Sequence, residues 1–211
     1  MEKNNESAEE LKTIRKIMEE STKFLSLSGL SGVFPGLFAI TGAVIAYFLI
    51  LDSGSIRYPA DFGNLPGNEA VTVKWRMVID ALSVLFLSLA AAVYFSFRKA
   101  KRSGKNIWTP VSRRLLVNLL IPLITGGLFI LILMIQDYIQ LIIPGLLIFY
   151  GLALINAGKF TYREVFYLGI LEIITGLASV FSPAQGLIFW IFGFGILHII
   201  YGLFLYRKYE E

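Results

Sequence analysis

Six apolar stretches free of Lys and Arg follow one another along the chain, separated by shorter polar segments. Each stretch approaches the roughly 20 residues with which an α-helix crosses the hydrocarbon core of a bilayer. Helices are expected because lipid offers backbone N–H and C=O groups no hydrogen-bond partner. The pattern therefore predicts six transmembrane helices, at residues 24–51, 77–97, 115–135, 138–157, 165–181 and 187–206.

The polar ends complete the predicted organisation, which is an all-α integral membrane bundle spanning residues 24–206. Residues 1–23 contain a capping box at Ser7 and Glu10, followed by apolar residues on one helix face. This predicts an amphipathic N-terminal helix that lies on the cytoplasmic surface or extends the first span, with partner binding as the alternative. Residues 207–211 form a short cytoplasmic tail.

Composition agrees with this class of protein. The chain has 211 residues, of which 56% are hydrophobic and 16% charged, whereas a soluble domain is about a quarter charged. It contains no cysteine, which excludes disulfides, thiolate metal sites and thiol catalysis.

The distribution of basic residues predicts the orientation. Sixteen of the 19 Lys and Arg lie in the termini and in the second-to-third and fourth-to-fifth connections. Basic residues are retained on the cytoplasmic side, so both termini are predicted to be cytoplasmic, in a bacterial inner membrane. The basic connection at residues 98–114 is expected to contact anionic lipid headgroups, and nucleic-acid binding is not expected from it.

Two related nine-residue phrases occur in the chain, GILEIITGL at 169–177 and GILHIIYGL at 195–203. The fourth residue is Glu172 in the first phrase and His198 in the second. The flanking glycines of each phrase are seven residues apart, about two helical turns, and so share a face with the polar residue. Small residues let helices approach closely in lipid. The predicted helix-packing positions are Gly32, Gly36, Gly169, Gly176, Gly195 and Gly202.

Glu172 and His198 are predicted to meet near mid-membrane. Glu172 follows Arg163 by nine residues and His198 precedes Arg207 by nine, which places each ~13.5 Å inside the cytoplasmic boundary at 1.5 Å per residue. A lone carboxylate at that depth is costly, so it should be protonated or paired. The pair is either a structural contact that fixes helix register or a proton-sensitive switch.

A second similarity links PGLFAITGAVIA, which begins at Pro35, with PGLLIFYGLALI, which begins at Pro144. The two spans run in opposite directions, so the similarity predicts a 3+3 inverted repeat of the kind found in many transporters. In such a repeat Pro35 overlays Pro144, and Gly42 overlays Gly151. Convergent composition is the alternative, since membrane helices draw on few residue types.

The last 45 or so residues resemble the acid-resistance (HdeD-like) membrane family. The resemblance rests on the Gly-Ile-Leu phrases, on Pro183 in a short outer turn and on Glu172 in the fifth span, and it implies a six-span bundle. His198 departs from the family pattern. The front half, STKFLSLSGLSGV, resembles an uncharacterised bacterial family of six-span proteins, some labelled carotene oxygenases. That activity needs four histidines for its iron, and this chain has one.

Two classes of function remain open. No HExxH, GxSxG, phosphate-binding loop or carboxylate pair is present, and no lysine lies inside a span. We therefore expect neither an enzyme nor a cofactor. The first class is a structural or stress-associated membrane protein that acts through helix packing, homo-oligomerisation or a membrane partner. The alternative is a small solute or proton-coupled transporter that uses Glu172 and His198.

The topology can be tested with single cysteines, because the chain has none of its own. Cysteines in place of Lys3, Ser103 or Glu211 should resist a membrane-impermeant thiol reagent in intact cells. A cysteine in place of Asn64, in the predicted outer loop, should react. Labelling at position 103 in sealed cells would overturn the six-span scheme.

Overall fold

The structure, a computed structural model, describes residues 23–54, 58, 61 and 66–210. Within these ranges the chain is all-helical and contains no strand. The long helical segments are α1 (Leu30–Ile50), α2 (Gly67–Arg102), α3 (Pro110–Ile135), α4 (Ile139–Gly158), α5 (Arg163–Val180) and α6 (Pro183–Tyr209). The predicted amphipathic helix at residues 1–22 lies outside the described residues.

Five of these helices are long and apolar enough to cross a membrane. The exception is α5, which has 18 residues and includes Arg163, Glu164 and Glu172. The centres of all six helices coincide with the predicted stretches. Apolar run length therefore located each helix, although a charge inside α5 weakens its apolar character.

The observed helix ends differ from the predicted ones in several places. The first span was expected from residue 24, but α1 begins at Leu30. The second was expected at residue 77, but α2 begins at Gly67, within the predicted outer loop. The tail was expected after residue 206, but α6 continues to Tyr209. Loss of apolar residues marks the edge of the lipid-facing region, whereas a helix continues until its backbone finds other partners.

The helices are joined in a chain of neighbours. Helix α1 packs against α2 and α6, α4 packs against α3 and α5, and α5 packs against α6. In the described residues α2 and α3 make little contact with each other. Both expose many large apolar side chains, such as Phe86 at 74% and Ile135 at 79%. Exposed apolar surface of this extent is compatible with a lipid environment.

Two apolar clusters fill the interior. One contains Ile50, Tyr58 and Val73 with Ile143 and Leu147. The other, toward the opposite end of the bundle, is built from Leu154, Tyr162, Val165, Leu168, Leu197 and Leu205. Because α4 contributes to both clusters, the middle of α4 lies between them.

Residues 23–29 form a non-helical strap across one end of the bundle. Thr161 donates its hydroxyl hydrogen to the carbonyl oxygen of Phe24 over 2.7 Å, and Tyr162 donates to that of Leu25 over 2.6 Å. Burial raises the pKa of Tyr162 to about 12, so its hydroxyl remains a donor at neutral pH. These bonds satisfy backbone oxygens that a longer α1 would have satisfied internally, which explains why α1 begins late.

Charged side chains hold the other half of the strap. Lys99 Nζ donates to the carbonyl oxygen of Leu27 over 2.8 Å and lies 3.5 Å from Glu210 Oε1. Glu210 accepts from the backbone N–H of Gly29 over 2.5 Å and from the Ser28 hydroxyl over 3.2 Å. A carboxylate at the N-terminus of α1 is favourable because the first N–H groups of a helix are unpaired and partly positive.

The strap predicts a measurable effect of Tyr162→Phe. The change keeps the ring but leaves the carbonyl oxygen of Leu25 without its donor, so the free energy of unfolding should fall by about 1–3 kcal/mol. Thermal unfolding in detergent measures this loss. Tyr167→Phe is the matched control, because Tyr167 is 53% exposed. Equal midpoints for the two variants would contradict the stabilising role of the strap.

Candidate functional site

Helices α5 and α6 bring Glu172 and His198 together in the interior. His198 Nδ1 lies 3.3 Å from Glu172 Oε1. Glu172 is 0% exposed and His198 is 5% exposed. The direct approach expected from the two related phrases is therefore present in the structure.

Hydrogen bonds at both ring nitrogens fix the orientation of His198. Nδ1 lies 3.2 Å from the carbonyl oxygen of Gly193, and Nε2 lies 2.8 Å from the hydroxyl of Tyr150 on α4. A carbonyl oxygen only accepts, so Nδ1 carries a hydrogen and donates it to Gly193. In the neutral imidazole, Nε2 then accepts the hydroxyl hydrogen of Tyr150.

A π-helical turn shapes the site. Residues Ile191–Leu197 of α6 are π-helical, and His198 follows them directly. The wider turn places the carbonyl oxygen of Gly193 five residues before the imidazole that it contacts. Turns of this kind are rare and occur frequently at functional sites.

Gly193 also makes room for the carboxyl group of Glu172. A Cβ atom at Gly193 would lie 2.7 Å from Glu172 Oε2 and 2.5 Å from Leu147 Cδ2. The carboxyl group therefore sits against bare backbone of α6. Among the described residues, neither of its oxygens has a well-formed hydrogen bond.

The predicted packing glycines lie where helices approach most closely. A Cβ at Gly36 would come within 2.6 Å of the carbonyl oxygen of Gly195, and one at Gly169 within 2.6 Å of that of Gly151. The remaining predicted positions, Gly32, Gly176 and Gly202, also lie against a neighbouring helix. Two interfaces, α1 with α6 and α4 with α5, therefore hold the helices that carry the polar pair.

Sequence reasoning missed Tyr150 and Gly193. Tyr150 lies within an apolar stretch, and nothing beside it in the sequence indicates that its hydroxyl meets His198. Gly193 stands outside the related phrases and looks like ordinary small-residue packing. The nearest available signal was the sequence GFG at 193–195, which ends on the first glycine of the second phrase. It places a second glycine close to the chain's one histidine.

No family model, curated protein or solved structure matches the chain. The resemblance to the acid-resistance family therefore stays a prediction. Within the described residues no group of three His, Cys, Asp or Glu side chains is placed to hold a metal ion.

Gly193→Ala should destabilise the protein because its new methyl group would overlap Glu172 and Leu147. Overpacking of this kind costs about 1–3 kcal/mol, which thermal unfolding in detergent would show as a lower midpoint. Gly127→Ala on α3 is the control, since a Cβ there meets nothing within 4 Å. The control should be neutral or slightly stabilising, because Ala is the better helix former. A Gly193→Ala midpoint at or above that of the control would refute the tight fit.

Proposed function

We propose that this chain is a six-span, stress-associated integral membrane protein in which protonation of the Glu172–His198 pair controls the packing of α5 against α6. The observation that carries the proposal is the environment of Glu172. Its carboxyl group is fully buried, its oxygens lack well-formed hydrogen bonds to the described residues, and an imidazole lies 3.3 Å away.

The burial of both groups favours a pair that is neutral overall. With one titratable proton, the pair is either a carboxylate beside an imidazolium or a carboxylic acid beside a neutral imidazole. Adding a second proton leaves a buried positive charge, and removing the proton leaves a buried negative charge. Either change is unfavourable in a medium of low dielectric constant, and so it weakens the packing of α5 against α6.

A purely structural contact would be expected to satisfy the carboxylate. Buried polar atoms are normally hydrogen-bonded, and an unsatisfied buried group costs about 1–3 kcal/mol. The unsatisfied oxygens of Glu172 therefore favour a proton-binding role over a contact that only sets helix register.

Tyr150 allows His198 to change protonation without losing a hydrogen bond. A phenol donates to neutral Nε2 and accepts from Nε2–H of the imidazolium. The other titratable group facing this region is Tyr201 of α6, and phenols stay neutral between pH 5 and 8. Helix α1 packs against α6 and contributes no Asp, Glu, Lys, Arg or His. The proposal therefore assigns the response to pH to the Glu172–His198 pair.

Glycine contacts support the inverted repeat in this proposal. Gly36 lies against Ile199 of α6, and Gly145 lies against Ile130 of α3. Gly36 directly follows Pro35, and Gly145 directly follows Pro144, so the two glycines are equivalent in the repeat. Their partners belong to the last helix of the opposite half in each case, as an inverted repeat requires.

One further pair of equivalent contacts follows the same spacing along these helices. Gly195 of α6 lies against Ile40, and Gly126 of α3 lies against Phe149. On α1 and α4, the contacted residue follows the glycine of the first contact by four positions, as Ile40 follows Gly36 and Phe149 follows Gly145. The same spacing of four holds on α6 for Gly195 and Ile199, and on α3 for Gly126 and Ile130.

The second helices of the two halves, α2 and α5, also make equivalent contacts with glycines of α1 and α4. Gly42 lies against Val84 of α2, and Gly151 lies against Ile173 of α5. Gly42 and Gly151 are the positions expected to overlay. Three pairs of equivalent contacts, at two kinds of helix interface, support the inverted repeat over convergent composition.

The repeat favours a second candidate function, a small proton-coupled carrier. Inverted repeats in transporters place the binding site near the bilayer midplane, where helices of the two halves meet. We expect the Glu172–His198–Tyr150 group to occupy such a position, since α4 and α1 flank the helices that carry the pair. The few polar groups in the interior restrict such a carrier to a small solute or the proton itself.

The proton-switch proposal predicts a pH response that depends on both residues. Between about pH 5 and 8, which spans the ordinary titration range of histidine, the wild-type protein should change in protease sensitivity or near-ultraviolet circular dichroism. Glu172→Gln and His198→Gln should abolish this change and lower the unfolding midpoint. Glu69→Gln is the matched control, because Glu69 lies exposed in the first turn of α2.

A wild-type protein that is unchanged across this range, with both variants merely less stable, would reduce the pair to a structural contact. Reconstituted vesicles give the readout for the carrier. A pH gradient should then drive uptake from a panel of small solutes in the wild type and not in Glu172→Gln.

A further inference from the structure

The two halves of the proposed repeat differ at one interface. The α5–α6 interface of the second half corresponds to the α2–α3 interface of the first. Helices α5 and α6 are packed together, whereas α2 and α3 make little contact in the described residues. The same kind of interface is therefore closed in one half and open in the other.

The glycine register identifies the residues that correspond across this difference. Val84 corresponds to Ile173, so Ser83 corresponds to Glu172, which directly precedes Ile173. Gly126 corresponds to Gly195, so Ile124 corresponds to Gly193.

Burial at these corresponding positions is opposite. Glu172 is 0% exposed and packs against Gly193 of α6. Ser83 is exposed, and its hydroxyl bonds only to the carbonyl oxygen of Ile79 one turn earlier in α2. Ile124 is 57% exposed. A contact that exists between α5 and α6 is therefore missing at the matching place between α2 and α3.

We infer that the two halves exchange these arrangements. In the second state α2 closes on α3, so that Ser83 meets Ile124, and α5 separates from α6, so that Glu172 and His198 become exposed. The two states are related by the repeat, because halves with equivalent packing surfaces can adopt each other's conformation. This inference rests on the inverted repeat in the proposed function, and it identifies the α5–α6 interface as the route to the polar pair.

The glycine contacts provide the pivot for the exchange. Helix α1 contacts α2 at Gly42 and α6 at Gly36, while α4 contacts α5 at Gly151 and α3 at Gly145. Close glycine contacts at α1 and α4 are thus common to both halves, to side-chain atoms at Gly42 and Gly145 and to backbone oxygens at Gly36 and Gly151. The exchange moves α2 and α3 together and α5 and α6 apart while α1 and α4 keep their partners.

Disulfide cross-linking tests the exchange, since the chain has no cysteine of its own. The double variant Ser83→Cys with Ile124→Cys, reconstituted in lipid vesicles and oxidised with copper phenanthroline, should form an intramolecular cross-link. Both positions are exposed, so the substitutions should leave folding unchanged, which size-exclusion chromatography checks. The Phe34→Cys with Phe95→Cys variant is the positive control, because these rings stack at 4.8 Å between α1 and α2.

The matched negative control pairs Leu85→Cys with Ile124→Cys. Leu85 corresponds to Ile174, which is 57% exposed where Glu172 is 0% exposed, and Leu85 itself is 59% exposed. The inference expects several-fold more cross-link for the Ser83 pair than for the Leu85 pair. Equal cross-linking of both pairs would indicate unspecific motion and overturn the inference, as would no cross-link in the Ser83 pair while the positive control forms.

The pH experiment on Glu172 and His198 uses a separate readout. If the Ser83 pair does not cross-link but the pH response is intact, the exchange is refuted and the proton switch is supported. If the pair cross-links but the protein does not respond to pH, the exchange is supported and its control by protonation is refuted. The two failures are therefore distinguishable.

Discussion

Close backbone approach at glycine is the constraint on which the arrangement of the six helices depends. Lipid tails are as apolar as the side chains that meet them, so the hydrophobic effect does not drive one membrane helix onto another. Contact must come from dense packing, and a missing Cβ lets two backbones come near enough for it. At Gly36 and Gly169 an added Cβ would lie 2.6 Å from a backbone oxygen of the next helix, where no side-chain movement could relieve the overlap.

The same close approach creates the setting for the polar pair. Glu172 is held one turn from Gly169 on the face that α4 and α6 cover. His198 lies between Gly195 and Gly202, which pack against α1, while its ring faces Tyr150 of α4 and Glu172 of α5. Neither side chain can turn toward lipid without separating these helices. The glycines thus determine both which helices touch and how deeply the two ionisable groups are buried.

Much of this arrangement could be predicted from the sequence, for a physical reason. A lipid-exposed span must be apolar over its whole length, so the helices are visible as runs, and an ionisable residue between two glycines must point inward. The approach of Glu172 to His198 followed from their equal depth on consecutive helices. The strap could not be predicted, because the late start of α1 depends on donors from Tyr162 and Lys99, which are distant in sequence. The roles of Tyr150 and of the π-helical turn at Gly193 could not be predicted either, because both arise from tertiary contacts.

The location of the polar pair in only one half of the proposed repeat also has a physical reason. The corresponding interface between α2 and α3 is open. Its residues Ser83 and Ile124 are uncharged, so the open arrangement leaves no charge without a partner at these two positions. Separating α5 from α6 parts the carboxyl group from the imidazole, and this is most unfavourable when both are charged. It is least unfavourable when Glu172 is protonated and the imidazole is neutral, because neither group is then charged. The position of one proton therefore biases the equilibrium between the two arrangements, which couples the proposed switch to the proposed exchange.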